Sequence, residues 1–152
     1  MHLTIFRGLP GAGKSTLAHK FALKTGTMII EPDQFLVQNG QYNHSPDRCK
    51  DAHAISQSML ERLSTWNIDV IYVATMPKIQ NVFEIVDRCK NADSITVIDC
   101  IIDIETSKNR NIHSVPADRI EKMALMWEPI GSDLRTKKFN ILTTTEIERN
   151  II

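Results

Sequence analysis

The chain has 152 residues, 42% of them hydrophobic, which is enough for one domain with a real core. Its 18 Lys and Arg balance 18 Asp and Glu, which argues against a coat for long nucleic-acid tracks or a membrane surface. No apolar run is long enough to span a bilayer.

In chain order, residues 3–6 (Leu-Thr-Ile-Phe) read as a short strand. It begins within a few residues of Met1, so no signal peptide is expected. The strand runs into Gly8-Leu9-Pro10-Gly11-Ala12-Gly13-Lys14-Ser15, which fits the phosphate-loop pattern of Gly, four residues, Gly-Lys and Ser or Thr. Glycines let backbone amides turn inward to phosphate oxygens, and the following helix points its positive end at the same oxygens. Lys14 has the reach for the outer phosphates, and the Ser15 hydroxyl suits Mg²⁺. Average composition produces such a match in roughly one chain in a hundred of this length, and a strand before and a helix after lower that further. The alternative is a Gly-rich structural turn. Residues 17–23 read as the helix, with Gly26 as its stop. Arg7, Lys14, Lys20 and Lys24 all precede the first acidic residue, Glu31, so the loop lies in a locally positive segment.

Residues 27–30 form a second predicted strand, followed by Glu31-Pro32-Asp33. Asn39-Gly40 and Ser45-Pro46 mark an exposed connection. Ser45 then caps a helix with Pro46 at its first position, and Ala52, Ile55, Met59, Leu63 and Trp66 share one predicted face. Residues 69–75 are a largely apolar, central third strand. Val82, Ile85, Val86 and Cys89 repeat at helical spacing before a fourth strand over 95–102. A polar helical stretch over about 105–111 follows, then a helix from Pro116 with Ile120, Met123, Ala124 and Trp127 on one face, ended by Pro129 and Gly131. Residues 139–142 are a fifth strand, with Lys137 and Lys138 as edge charges. This alternation implies an α/β fold with a parallel sheet covered by helices, in a single domain over 1–152. Cys49, Cys89 and Cys100 are odd in number and lack metal spacing; they read as reduced thiols in a cytoplasmic protein, Cys89 and Cys100 packed in the core.

Nucleotide sites in such sheets lie at the carboxyl ends of the strands. Asp33 follows the second strand, where a carboxylate can face the loop and take a proton from an attacking hydroxyl, or simply occupy a surface turn after Pro32. Strand alternation points Glu31 the other way. Arg110 can close over the transferring phosphoryl group or sit on a solvated helix face; His113 and Arg119 share that ambiguity. No Asp or Glu ends the third strand, where many ATP hydrolases hold a second Mg²⁺ partner, and Asp99 lies mid-strand. That favours a small kinase over a motor or switch.

Gly8 through Ala18 with Arg7, then Asp33-Gln34-Phe35, Gly40-Gln41-Tyr42-Asn43, Ala52-His53, Arg110-Asn111-Ile112-His113-Ser114-Val115-Pro116 and Trp127-Glu128-Pro129 resemble the polynucleotide-kinase-like P-loop kinases. The resemblance implies a nucleoside-kinase-like P-loop fold with roughly five parallel strands and a short helical lid over about 104–127. It implies a phage- or repair-type kinase, with no fused phosphatase, that moves the γ-phosphate of ATP to a nucleic-acid 5′-hydroxyl. By it, Gly8, Pro10, Gly11, Ala12, Gly13, Lys14, Ser15 and Thr16 bind ATP, Ser15 holds Mg²⁺, Asp33 is the general base and Arg110 is a lid arginine. Two departures bear on the acceptor. Ala74-Thr75-Met76 stand where the family ends its third strand with an acid, and Leu36 and Val37 stand where an arginine contacts the acceptor strand, with Arg48 as the substitute to weigh against a first-turn helix charge. Relatives also phosphorylate nucleosides, nucleotides, modified bases and other small-molecule hydroxyls, so such acceptors are the first rival. A nucleotide-binding module without turnover is the second.

Overall fold

The strands of the computed structural model follow from β-branched runs that are apolar on both sides, and the helices from capped segments between them. The structure describes residues 1–130 and 139–143; Gly131, Lys137 and Lys138 lie outside the described residues. β1 (His2–Gly8) leads through the glycine-rich loop into α1 (Lys14–Thr25), which Gly26 ends in a left-handed conformation, as expected. β2 (Met28–Ile30) is followed by a short 3-10 helix (Pro32–Leu36) and a hairpin of β3 (Val37–Gln38) and β4 (Gln41–Tyr42). Asn39 and Gly40 both have positive φ, the turn that matches strand twist in two-residue hairpins. The hairpin was not anticipated, because strands of two residues leave no periodicity to read.

α2 (Pro46–Thr65) starts where Ser45 and Pro46 place it, with the Arg48 amide donating to Ser45 Oγ. β5 (Val70–Ala74), α3 (Ile79–Arg88) and β6 (Ser94–Cys100) follow. Then come α4 (Ile104–Asn109), α5 (Ala117–Leu125) and β7 (Phe139–Thr143). The large sheet has the order β2-β5-β1-β6-β7 with every pairing parallel, so the five-stranded parallel sheet flanked by helices is as expected.

Strand alternation divides the core in two. Leu3 and Ile5 of β1, Val70 and Tyr72 of β5, and Ile95 and Val97 of β6 face Leu60 and Leu63 of α2 and Val82 and Ile85 of α3. Phe6, Ile71, Val73, Ile98 and Cys100 face Ala18, Leu17 and Phe21 of α1. Cys89 and Cys100 are buried, as the sequence suggested. The buried face of α2 differs from the expected one. Ala52, Ser56, Leu60 and Leu63 are inside, whereas Ile55, Met59 and Trp66 are exposed. Ser56 is tolerated there because its hydroxyl donates to the Ala52 carbonyl, so a polar residue occupies the core stripe without an unpaired group.

Candidate active site

The glycine-rich loop sits at the carboxyl end of β1, between β5 and β6, at the switch point of the sheet. Gly13, with φ 81, precedes α1 without a side-chain cap, and the first turn carries no acid. The amides that open the helix meet no side-chain cap and no acid from the helix's own first turn, which leaves them for an anion. Gly11 has φ 75, and a Cβ there would lie 2.9 Å from the Ser107 carbonyl oxygen and 3.0 Å from Arg110 Cβ. The α4 end therefore rests directly on the loop, held by Ser107 Oγ donating to the Pro10 carbonyl at 2.6 Å.

A cleft of about 1110 Å³ opens over the loop. Pro10, Gly11, Ala12, Gly13, Lys14, Ser15 and Thr16 line it, while Gly8 stands behind, its amide donating to the Thr75 carbonyl at 3.3 Å. Lys14 Nζ donates to the Leu9 carbonyl at 3.0 Å, across the loop. Burial pulls the Lys14 ammonium below the usual lysine range, with Cys100, Asp33 and Glu31 pulling the other way. Asp33 and Arg110 also line the cleft, so the residues singled out for catalysis share one space. Arg110 caps the C-terminus of α4.

Glu31 is not turned away. It is buried and accepts a hydrogen bond from Ser15 Oγ. The strand gives way to a 3-10 helix at Pro32, so strand parity no longer applies and Glu31 and Asp33 both line the cleft. A hydroxyl and a carboxylate side by side are hard oxygen donors, and this pair fits Mg²⁺. Among the described residues no three His, Cys, Asp or Glu side chains cluster as a metal site.

The opposite wall is assembled from distant segments. Tyr42 donates its hydroxyl to Asp33 Oδ1 at 3.3 Å, and its ring lies 4.3 Å from the His113 ring. Burial first, and then the Asp33 carboxylate, raise the Tyr42 phenol above its ordinary range, so it remains a donor at neutral pH. Lys50, His53 and Gln57 project from one stripe of α2, and Arg119 and Lys122 from α5. Arg119 Nη1 is 3.4 Å from His44 Nε2. Burial lowers the His53 imidazole, opposed by Asp33. Arg48 is exposed and outside the cleft, in the first turn of α2, whereas Lys50 and Arg119 line it. The spacing 46, 49, 50, 53, 57 is a helical stripe, and that polar stripe was the available signal for Lys50 and His53.

Asp99 lies away from the phosphate loop's cleft. It is buried beside Arg7, with Arg7 Nε 3.5 Å from Oδ1. At the end of β5, where an acid is absent, Met76 is buried and adopts a left-handed φ of 47, uncommon for a side chain of its size.

A family model described as an AAA domain, AAA_33, matches residues 3–123. A sugar kinase from Janibacter sp. HTCC2649, in an unliganded structure, superposes with a TM-score of 0.67 at 17% identity, over 99% of this chain and 89% of that one. A chain of the Pnkp1/Rnl/Hen1 RNA repair complex gives 0.66 at 23% identity, over 90% of this chain and 50% of that one. Kti12 from Chaetomium thermophilum, in complex with ADP-AlF3, gives 0.65 at 14% identity, over 98% and 93%. At these identities the likeness is one of fold, and the fold is that of the P-loop kinases.

Proposed function

We propose that this chain, which belongs to the AAA_33 family of AAA domains, transfers the γ-phosphate of ATP to a hydroxyl, the 5′-hydroxyl of DNA or RNA being one of two acceptor classes. The observation that carries the reading is the placement of Asp33 and the cationic α2 and α5 positions in one cleft with the phosphate loop. Asp33 accepts the proton as the acceptor oxygen attacks. The new O–Pγ bond forms as the bond from Pγ to the β,γ-bridging oxygen breaks, and that electron pair leaves with ADP. General-base help of this kind is worth about 10²–10⁴-fold. Lys14 and the loop amides hold the phosphates, and Arg110, on the 104–127 lid, neutralises charge at the transferring group. Ser15, backed by Glu31, is the protein's ligand for Mg²⁺, which supplies charge neutralisation between the phosphates when bound.

On the acceptor side, Lys50, Arg119 and Lys122 provide positive charge for a phosphodiester, and Tyr42 and His113 provide rings for a base. A second reading has equal support: a small-molecule hydroxyl acceptor such as a nucleoside, nucleotide, modified base or sugar. The zero net charge, which gives no extended basic track, favours it. The thiols of Cys49, Cys89 and Cys100 suit the reducing cytoplasm. Among the described residues no helix is long and apolar enough to cross a membrane.

The test is transfer of labelled γ-phosphate from ATP and Mg²⁺ to 5′-hydroxyl DNA and RNA oligomers beside a small-molecule panel. Label on oligomers, lost in Lys14→Ala and Asp33→Ala, is the expected result. Label only on a small acceptor selects the second reading. ATP binding without any transfer overturns both and leaves a nucleotide-binding module, for which the missing acid near Ala74 is the physical reason.

A further inference from the structure

The β3–β4 hairpin contributes nothing to either core cluster, and Val37, Gln38 and Gln41 are exposed. It is nonetheless well anchored: the Asn43 amide donates to the Leu36 carbonyl at 2.8 Å, tying it to the 3-10 helix that carries Asp33. Its one residue in the cleft wall is Tyr42. The phenol reaches Asp33 Oδ1 at 3.3 Å, and the ring faces His113 at 4.3 Å and His44 at 6.2 Å. His113 lies in the 110–116 loop between α4 and α5, whose other end, at Arg110, rests on Gly11. That loop thus touches the phosphate loop at one end and Tyr42 near its middle.

We propose that Tyr42 is a positioning residue that ties lid closure to base orientation: its hydroxyl fixes the Asp33 carboxylate while its ring seats the lid at His113. A hydrogen bond to Oδ1 sets the plane of the carboxylate and leaves Oδ2 for the acceptor proton. The ring contact brings the Arg110 segment over the phosphate loop in the same arrangement, so the base and the lid arginine are in place together. Removing the hydroxyl frees the carboxylate but keeps the seat; removing the ring loses both. The inference rests on the kinase reading above for its catalytic half, whereas the lid seat is measurable without turnover.

The experiment compares wild type, Tyr42→Phe, Tyr42→Leu, His113→Ala and Tyr42→Phe/His113→Ala in steady-state transfer, in ATP titration, and in hydrogen exchange of residues 110–116 with and without ATP; melting curves check the fold. Tyr42→Phe is expected to lower kcat about tenfold with ATP affinity within twofold of wild type. The double variant is expected to lose less than the product of the single losses, because His113→Ala already loosens the ring whose hydroxyl holds the carboxylate. Tyr42→Leu is expected to abolish ATP-dependent protection of 110–116, which Tyr42→Phe retains. Wild-type kcat in Tyr42→Phe, or wild-type lid protection in Tyr42→Leu, overturns the proposal. If wild-type protein transfers phosphate to no acceptor, the kinase reading fails, and the exchange data decide the seat alone: lost protection in Tyr42→Leu supports it and retained protection overturns it.

Discussion

At the phosphate-loop end of the cleft one unbroken run, residues 10–16, makes the wall, and at the proposed acceptor end Asp33, Tyr42, Lys50, His53 and Arg119 arrive from the 3-10 helix, β4, α2 and α5. The difference reflects what each end must recognise. A polyphosphate is satisfied by backbone amides and a helix dipole, and a short local motif can present these wherever a strand meets a helix. An acceptor is recognised by the shape and charge of particular side chains, which any element bordering the cleft can supply. The nucleotide end is therefore rigid and local, and the acceptor end is a mosaic held by tertiary contacts.

The largest expected effect tests the nucleotide end. Lys14→Ala should reduce transfer by about 10³-fold or more for every acceptor, because its charge acts on the phosphates common to all of them. A loss confined to one acceptor would break the comparison. Next is a buried contact that ties the segment after α5 to β1. Arg7 is fully buried at the end of β1; Nη2 donates to the Glu128 carbonyl at 2.8 Å, and the guanidinium lies 4.0 Å from the Trp127 ring centroid. The Glu128 carboxylate in turn accepts from the Ile79 amide at 2.8 Å. Burial lowers the Arg7 guanidinium and raises the Asp99 carboxyl, while each opposes the shift of the other. Arg7→Ala leaves Asp99 without its buried counter-ion and should cost about 3–5 kcal/mol in urea denaturation.

Smaller effects sharpen the contrast. Arg119→Ala is expected to raise the KM for an anionic acceptor about tenfold while the KM for ATP stays within twofold, measured by steady-state kinetics in low and high salt. Equal changes in both constants would mean that the two ends are not separable. Ser107→Ala removes the hydroxyl that holds α4 to the Pro10 carbonyl and should cost about 1 kcal/mol of stability in a thermal or urea melt.

The contrast also explains what could be read in advance. The strand–loop–helix unit around Gly8-Leu9-Pro10-Gly11-Ala12-Gly13-Lys14-Ser15 was legible because its geometry is encoded within a few consecutive residues. The Ser45–Pro46 helix start and the Gly26 stop were legible for the same reason. The α2 face was misread because periodicity counts apolar residues, whereas packing buried Ser56 and left Met59 and Trp66 outside. Glu31 was misread because parity holds only while the strand continues, and the chain turns at Pro32.

The sequence by itself determined the parallel α/β sheet, the phosphate loop and the candidate residues Lys14, Ser15, Asp33 and Arg110, since hydrophobic period and motif spacing act over short stretches of chain. Only the tertiary structure decided that Glu31 meets Ser15, that Asp99 is occupied by Arg7, and that Tyr42 stands between Asp33 and His113. Those pairings join residues that the chain separates by between 9 and 92 positions for the hydrogen bonds and ion pair to the sheet and hairpin, or by a whole crossover of the fold for Tyr42 and His113. No local propensity encodes such meetings; they arise when the strand order brings distant segments to the same edge of the sheet.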